Sequence, residues 1–180
     1  MTEKNTTRVS LAYKGLAVLP REVLRRLNEM QVSELDLSHN EISDVRCLNG
    51  MTSLRTLVLD FNKIESHVVF PSLPLLETLW INCNSISNLS IFIENVVNAF
   101  PCLRYLSMMN NEASPSYFNG GSVEEYNDYR LYVISQVPKL KVLDDTAVKP
   151  EEKELAMKTY ERKRSRRDST RDHNTVHRTK

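Results

Sequence analysis

The segment Leu54-Arg-Thr-Leu-Val-Leu-Asp-Phe-Asn-Lys-Ile64 decides the fold, because its pattern of apolar residues and asparagine recurs along the chain. The pattern also begins at Val32, Leu76 and Leu103, so the successive intervals are 22, 22 and 27 residues. Apolar residues occupy positions one, four, six and eleven of each copy. Position nine is always asparagine: Asn40, Asn62, Asn84 and Asn111. Self-similarity at this period indicates a stacked repeat architecture.

The spacing is that of a leucine-rich repeat and predicts an α/β solenoid. Short parallel strands should form the concave face, and helical or irregular connections the convex face. One unit cannot bury its apolar side alone, so the units stack around a continuous core. We expect positions four and six to point inward, and the asparagines to hydrogen-bond backbone groups that the sheet leaves unpaired. Such an array has an open curved surface, which favours a binding protein over an enzyme.

The N-terminal part predicts a degenerate first repeat, with Val9-x-Leu11 as its strand and Lys14 at the asparagine position. Pro20 is predicted to be the first residue of a short helix. The interval of 27 residues contains five apolar residues at helical spacing, followed by Pro101. They are Leu89, Phe92, Val96, Val97 and Phe100. This stretch predicts an α-helix on the convex side.

The C-terminal part predicts a cap. Ser122-Val-Glu-Glu125 is a capping box that should start a helix ending at Pro138. Leu140-x-x-Leu143-Asp144 then restates half of the repeat and predicts one last strand. The predicted organisation is a repeat domain over 1–148 with its cap at 122–148. A helical extension over 149–161 and a basic disordered tail over 162–180 should follow.

Composition and charge fit a globular body with a basic end. The chain is 41% hydrophobic and 26% charged, with a net charge of +1. Residues 150–180 carry 10 Lys and Arg against 6 Asp and Glu, so the basic excess lies there. Cys47, Cys83 and Cys102 lack metal-ligand spacing, and we expect reduced thiols, no metal and no cofactor. The N-terminus lacks the apolar run of a signal peptide, and no apolar run is long enough for a transmembrane segment, which predicts an intracellular protein. We also expect a monomer.

The partner-binding residues are predicted from the strand positions that point away from the core. These positions carry five apolar side chains: Val58, Phe61, Trp80, Tyr105 and Met109. Asp36, Asp60 and Asn82 surround them. Contiguous exposed apolar groups mark binding sites, and Trp and Tyr are favoured anchors. The alternative is that the C-terminal helix or tail covers this face. His39 lies beside Asp36 and Ser38, but strand neighbours do not place a base against a nucleophile, so no catalytic residue is predicted.

Two blocks carry a resemblance to known families. Residues 129–144 resemble the cap of small intracellular leucine-rich repeat proteins, which include the spliceosomal leucine-rich A-prime and acidic nuclear phosphoprotein families. Residues 54–155 look closer to the leucine-rich melanocyte differentiation-associated family, through Leu57–Asn62, Phe70–Pro74 and Phe100–Ser107. The closer resemblance implies an adaptor that recognises Rab-family small GTPases of lysosome-related organelles and links them to endosomal retrieval.

Alternatives stay open at this point. The spliceosomal resemblance implies a nuclear ribonucleoprotein component. The run Arg162-Lys-Arg-Ser-Arg-Arg167 fits a nuclear import signal, a contact with nucleic acid or anionic membranes, or a solvated end. Ser165 and Ser169 follow basic residues and are candidate phosphorylation sites. The expected location is cytoplasmic with endosomal association, and nuclear if the tail directs import.

Overall fold

The computed structural model describes residues 7–116 and 119–160, and its centre is a seven-stranded sheet in chain order. The first five strands are parallel: β1 Arg8–Ser10, β2 Glu34–Asp36, β3 Thr56–Val58, β4 Thr78–Trp80 and β5 Tyr105–Ser107. Equivalent repeat positions face each other, since Leu57 pairs with Leu35 on one side and with Leu79 on the other. The predicted leucine-rich repeat solenoid is confirmed.

The core is built by the inward repeat positions, as their spacing predicts. Leu35, Leu57, Leu79 and Leu106 stack from strand to strand and are buried. The residues at position six form a second buried row: Leu37, Leu59, Ile81 and Met108. Each large aliphatic side chain stabilises the fold by about 1.5–3 kcal/mol when it leaves water. The core therefore runs the length of the array.

The convex side is irregular except where the sequence gives room for helices. Helix α1 spans Arg21–Glu29, a 3₁₀ turn spans Arg46–Leu48, and α2 spans Leu89–Ala99. Pro20 is the residue that precedes α1 and is not its first helical residue, which is a shift of one position. In α2, the spacing predicts Val97 on the buried face, but Val97 is 38% exposed and Ile93 is buried in its place.

The cap begins with the predicted capping box. The Ser122 hydroxyl accepts from the Glu125 backbone N–H at 3.1 Å, and the Glu125 carboxylate accepts from the Ser122 N–H at 2.8 Å. The pKa of Glu125 is lowered by these hydrogen bonds. Helix α3 follows at Val123–Gln136 and buries Val133 and Ile134 on the core. It covers the end of the array that the fourth repeat would otherwise expose.

The last strand is a hairpin, which differs from the single strand that the sequence predicts. Strand β6, Val142–Leu143, continues the parallel sheet, and β7, Thr146–Ala147, pairs with it in antiparallel orientation. The chain can reverse because Asp144 between the two strands has a left-handed backbone with φ of 59°. Asp144 also accepts from the Met108 N–H at 3.0 Å and from the Tyr129 hydroxyl at 3.1 Å.

Residues 150–160 form a further helix, α4, where the sequence favours one. Its Glu152 holds Arg130 of α3 with two hydrogen bonds of 3.0 and 3.2 Å, and the Arg130 side chain is only 5% exposed. Burial alone would lower the pKa of Arg130, but the hydrogen bonds and charge of Glu152 raise it. Helix α4 is therefore docked on the cap. The domain boundaries 1–148 and 149–161 stay predictions, and the tail 162–180 lies outside the described residues.

Candidate functional site on the concave face

The outward strand positions form rows that follow the register of the sheet. One row contains Asp36, Val58, Trp80 and Ser107, because these residues pair in turn from β2 to β5. The neighbouring row contains Glu34, Thr56, Thr78 and Tyr105. Since each repeat contributes one strand, a partner lying across the sheet would contact one side chain from each repeat in each row.

Trp80 is the large apolar residue of this face, and its side chain is 48% exposed. It lines a hollow of about 140 Å³ together with Val58, Thr56 and Leu35. Three charged residues complete the lining: Arg8, Glu34 and Asp36. Ligand sites for drug-sized molecules enclose about 300–1,000 Å³. This hollow is therefore sized for one side chain of a partner.

Asp36 is held in a fixed orientation at the edge of the hollow. Its Oδ1 accepts from the N–H and the hydroxyl of Ser38 at 3.0 and 2.7 Å, and its Oδ2 accepts from the Ser10 hydroxyl at 3.0 Å. Burial alone would raise the pKa of Asp36, but these hydrogen bonds and the charge of Arg8 lower it. Asp36 is consequently a preoriented anion at neutral pH.

Asp60 and Asn82 have a structural task on the same face. The Asn82 N–H donates to Asp60 Oδ1 at 2.8 Å, and the Met109 N–H donates to Asn82 Oδ1 at 2.8 Å. The Ser107 hydroxyl donates to Asn82 as well, at 2.7 Å. Burial raises the pKa of Asp60, against the hydrogen bonds from Asn82. Both side chains therefore join neighbouring repeats, in addition to the partner-binding role that the sequence predicts for them.

Position eight of each repeat does not continue the strand, which differs from the outward strand position that the sequence predicts. His39, Phe61, Cys83 and Asn110 have φ between 54° and 58°, which is the left-handed region. They lie in the turn just before the repeat asparagine. Phe61 is 49% exposed, but it does not line the hollow of Trp80.

Phe61 instead belongs to an aromatic stack that sequence reasoning missed. The His39 ring lies between the Tyr13 and Phe61 rings, with centroid distances of 4.1 and 4.2 Å and interplanar angles of 12° and 11°. A signal was present, because all three rings lie one residue before the asparagine position of successive repeats. Phe61 is thus separated along the face from Val58 and Trp80.

Tyr105 and Met109 lie toward the C-terminal end of the sheet. Tyr105 is half-buried and Met109 is 39% exposed, and neither lines the hollow with Trp80 and Val58. Of the eight residues predicted to bind a partner, the structure therefore brings three together in one hollow: Asp36, Val58 and Trp80.

The repeat asparagines bind backbone groups in the turns. Asn62 Oδ1 accepts from the Ile42 N–H at 2.9 Å, and its Nδ2 lies 3.0 Å from the Leu37 oxygen and 3.1 Å from the Leu59 oxygen. Asn84 repeats this arrangement one unit later, on the Ile64 N–H and the Leu59 oxygen. Each of these amides joins two consecutive repeats.

Other features of the described residues add no second site of this kind. A larger hollow of about 500 Å³ lies among α2, α3 and α4, and none of the predicted partner-binding residues lines it. Within 7–116 and 119–160, no cluster of His, Cys, Asp and Glu could hold a metal ion. No helix in this part of the chain is long and apolar enough to cross a membrane. Ser165 and Ser169 lie outside the described residues.

Comparison with known proteins settles the family. The leucine-rich repeat family model matches residues 26–171. The chain belongs to the leucine-rich repeat family. Among the relatives of this leucine-rich repeat protein, the human leucine-rich melanocyte differentiation-associated protein is 36% identical over 128 residues. That match covers 68% of this chain and 65% of that protein.

A second group of relatives carries the spliceosomal resemblance. Human U2 small nuclear ribonucleoprotein A' is 32% identical over 168 residues, which cover 84% of this chain and 64% of that protein. The chain thus spans slightly less than two thirds of both curated relatives. A solved chain of the Drosophila melanogaster SNF/U2A' complex superimposes with a TM-score of 0.66 at 22% identity. It covers 84% of this chain and 79% of its own length, and it supports the fold.

Proposed function

We propose that this leucine-rich repeat protein is a non-catalytic adaptor that binds a partner protein through its concave face. The observation that carries the proposal is the half-exposed Trp80 beside Val58, in the middle repeat of the array. An aromatic residue at the centre of a contact surface can lose all its water on binding, and such anchors dominate interface energies. Helix α4 packs on α3 through Glu152, so this helix leaves Trp80 accessible.

The leading partner class is a Rab-family small GTPase in endosomal or lysosome-related organelle trafficking. Support comes from the 36% identity to the leucine-rich melanocyte differentiation-associated protein, whose resemblance implies such an adaptor. In this proposal the protein is cytoplasmic and associates with endosomes. It acts as a monomer, and the GTPase lies across the rows that contain Trp80 and Tyr105.

The second candidate is a protein-binding scaffold within a nuclear ribonucleoprotein. It is favoured by the match to U2 small nuclear ribonucleoprotein A', which extends over 84% of the chain. The concave face would then hold a protein of that particle, and the basic tail 162–180 would direct nuclear import or contact RNA. Neutralising Arg162, Lys163, Arg164, Arg166 and Arg167 should abolish nuclear enrichment in this case and leave concave-face binding unchanged.

Affinity capture from cells separates the two candidates. The tagged protein is incubated with lysates that contain GTP-locked or GDP-locked Rab GTPases, and the bound RNA is quantified in parallel. Nucleotide-dependent capture of a GTPase with endosomal puncta supports the first candidate. Nuclear enrichment with RNA that co-purifies through protein contacts supports the second.

Trp80→Ala tests the shared part of both candidates. Truncating a central anchor costs about 2 kcal/mol or more, which is about a thirtyfold loss of affinity. Val69→Ala is the matched control, because Val69 is an exposed apolar residue outside the strands. Leu79→Ala calibrates the fold, since a buried leucine costs about 2–5 kcal/mol of stability on truncation. If Trp80→Ala destabilises the protein as much as Leu79→Ala, or if capture persists unchanged, the concave-face proposal is wrong.

A further inference from the structure

We infer that the hollow beside Trp80 is a receptor for one arginine side chain of the partner protein. This inference rests on the proposed function and names the chemistry of the contact. The hollow combines an indole and a valine with two carboxylates, Glu34 and Asp36, on the side of β2. An arginine side chain matches both kinds of wall, because its methylene stem packs on apolar surface and its guanidinium forms paired hydrogen bonds with carboxylates.

The apolar wall fits the long stem of such a side chain. Val58 and Trp80 are paired neighbours on β3 and β4, so they present a continuous apolar strip that leads toward β2. Arginine buries its methylene groups along apolar surface and keeps its charged head in a polar setting. A volume of about 140 Å³ admits one such side chain and excludes a folded element of the partner.

The carboxylates of Asp36 and Glu34 in the hollow can accept further hydrogen bonds. Among the residues that the structure describes, Asp36 Oδ2 accepts one hydrogen bond, from Ser10, although a carboxylate oxygen can accept two. Glu34 is half-buried, and within 7–116 and 119–160 its carboxylate accepts no hydrogen bond and forms no ion pair. A half-buried carboxylate gains most from a cationic donor, because the loss of water weakens screening. An approaching guanidinium supplies such donors.

Arg8 lines the same hollow and makes the inference testable in both directions. It forms no ion pair with Glu34 or Asp36 within the described residues, and its charge opposes that of an incoming arginine. Removing Arg8 should therefore strengthen the binding of a cation, and removing a carboxylate should weaken it. The carboxylates also repel phosphate, so the occupant is a basic protein segment rather than the backbone of an RNA.

The experiment uses N-acetyl-arginine amide as the probe and N-acetyl-citrulline amide as its uncharged match, with the full chain. Trp80 is the one tryptophan of the sequence, so the intrinsic fluorescence reports on the hollow itself. We expect a saturable change with the arginine probe and at least about tenfold weaker binding of the citrulline probe, the loss expected for a charged hydrogen bond.

The variants fix the location of the probe. Glu34→Gln should weaken the arginine probe about tenfold or more, and it should leave the fold intact because the Glu34 side chain makes no hydrogen bond among the described residues. Arg8→Gln should strengthen it severalfold. Glu94→Gln, an exposed carboxylate on α2, is the control without effect. Equal binding of the two probes, no saturable change, or equal effects of Glu34→Gln and Glu94→Gln each overturn the inference.

Partner capture separates this inference from the proposed function. If Trp80→Ala abolishes capture and Glu34→Gln preserves it in full, the concave-face adaptor stands and the arginine receptor is wrong. If the arginine probe binds as described and Trp80→Ala leaves capture unchanged, the adaptor proposal is wrong and the hollow is a cation site with another use. Loss of capture by both variants, with gain by Arg8→Gln, supports both.

Discussion

Asn62→Ala should destabilise the protein by an amount that follows from the hydrogen bonds of one amide. The Ile42 N–H loses its acceptor, Asn62 Oδ1, and Ile42 is fully buried. Asn62 Nδ2 serves three carbonyls, and each keeps a second donor. Asn40 Nδ2 also reaches the Leu37 oxygen at 2.8 Å, Asn84 Nδ2 the Leu59 oxygen at 2.9 Å, and the His39 N–H the Asp60 oxygen at 2.9 Å. The cost is therefore dominated by one buried N–H without a partner, which is about 1–3 kcal/mol.

Asn111→Ala provides an internal comparison at the last repeat. Here the Ile86 N–H loses its acceptor, and the Met108 oxygen also loses Asn111 Nδ2, its donor among the described residues. Two backbone groups are left unsatisfied, so the destabilisation should be about twice that of Asn62→Ala. Asn127→Ala, on the exposed side of α3, should change stability by less than about 1 kcal/mol and in the stabilising direction, since alanine is the better helix former.

Urea unfolding followed by far-ultraviolet circular dichroism measures these differences. A common m value among the variants is required, because a change in m would signal a loss of two-state behaviour. Equal stability of Asn62→Ala and Asn127→Ala would show that the Ile42 N–H does not depend on Asn62. A larger loss in Asn62→Ala than in Asn111→Ala would show that the sharing of carbonyls between repeats has no energetic consequence.

Three further predictions test the turns and the cap. Cys83→Val should lower the free energy of unfolding in urea by about 1–2 kcal/mol, because a β-branched residue opposes the left-handed φ of 55°. Cys83→Asn should show no such loss, since asparagine tolerates this conformation. Equal losses in the two variants would contradict this prediction. Glu152→Ala leaves the buried Arg130 without its carboxylate and should lower the stability measured by thermal denaturation by about 3 kcal/mol. This value is near the lower end for buried ion pairs because Glu152 is 28% exposed. Glu154→Ala is the exposed control. Burial raises the pKa of Asp144 in the folded protein, so on raising the pH this carboxyl ionises in the unfolded chain before it does so in the folded one. The free energy of unfolding, relative to that of Asp144→Asn, should therefore fall as pH rises from about 4 and level off above the folded pKa. A stability difference that does not change with pH would show that Asp144 does not titrate in this way.

The regular part of the fold was predictable because each repeat position has one physical environment. The apolar residues at positions four and six can only face the core, because they are too hydrophobic to lie in water. The capping box at Ser122 determines where α3 starts. The second strand of the terminal hairpin was not predictable. It depends on a left-handed Asp144, and the hydrogen bonds from Met108 and Tyr129 to this residue arise only in the folded cap.

The sequence predicts which residues occupy the outward rows of the candidate site, but not which of them lie close together. Alternation along a strand placed Val58 and Trp80 on the outer face correctly. The same alternation fails at Phe61, because the chain has already turned before the asparagine and the ring stacks on His39 instead. The partner-binding role of all eight residues stays a prediction.

The first repeat has no asparagine at position nine, so its turn depends on an asparagine of the second repeat. Lys14 stands at that position, and the N–H groups of Lys14 and Leu16 donate to Asn40 Oδ1 of the following repeat at 3.1 and 3.0 Å. Among the described residues β1 pairs with β2 alone, so its local opening breaks contacts with a single neighbouring strand and should require little free energy. Arg8 lines the hollow and Ser10 orients Asp36, so the hollow loses part of its lining when β1 separates from β2. Fraying of this end and occupancy of the concave face are therefore one linked equilibrium, and a bound partner slows amide exchange in β1 without touching most of its amides.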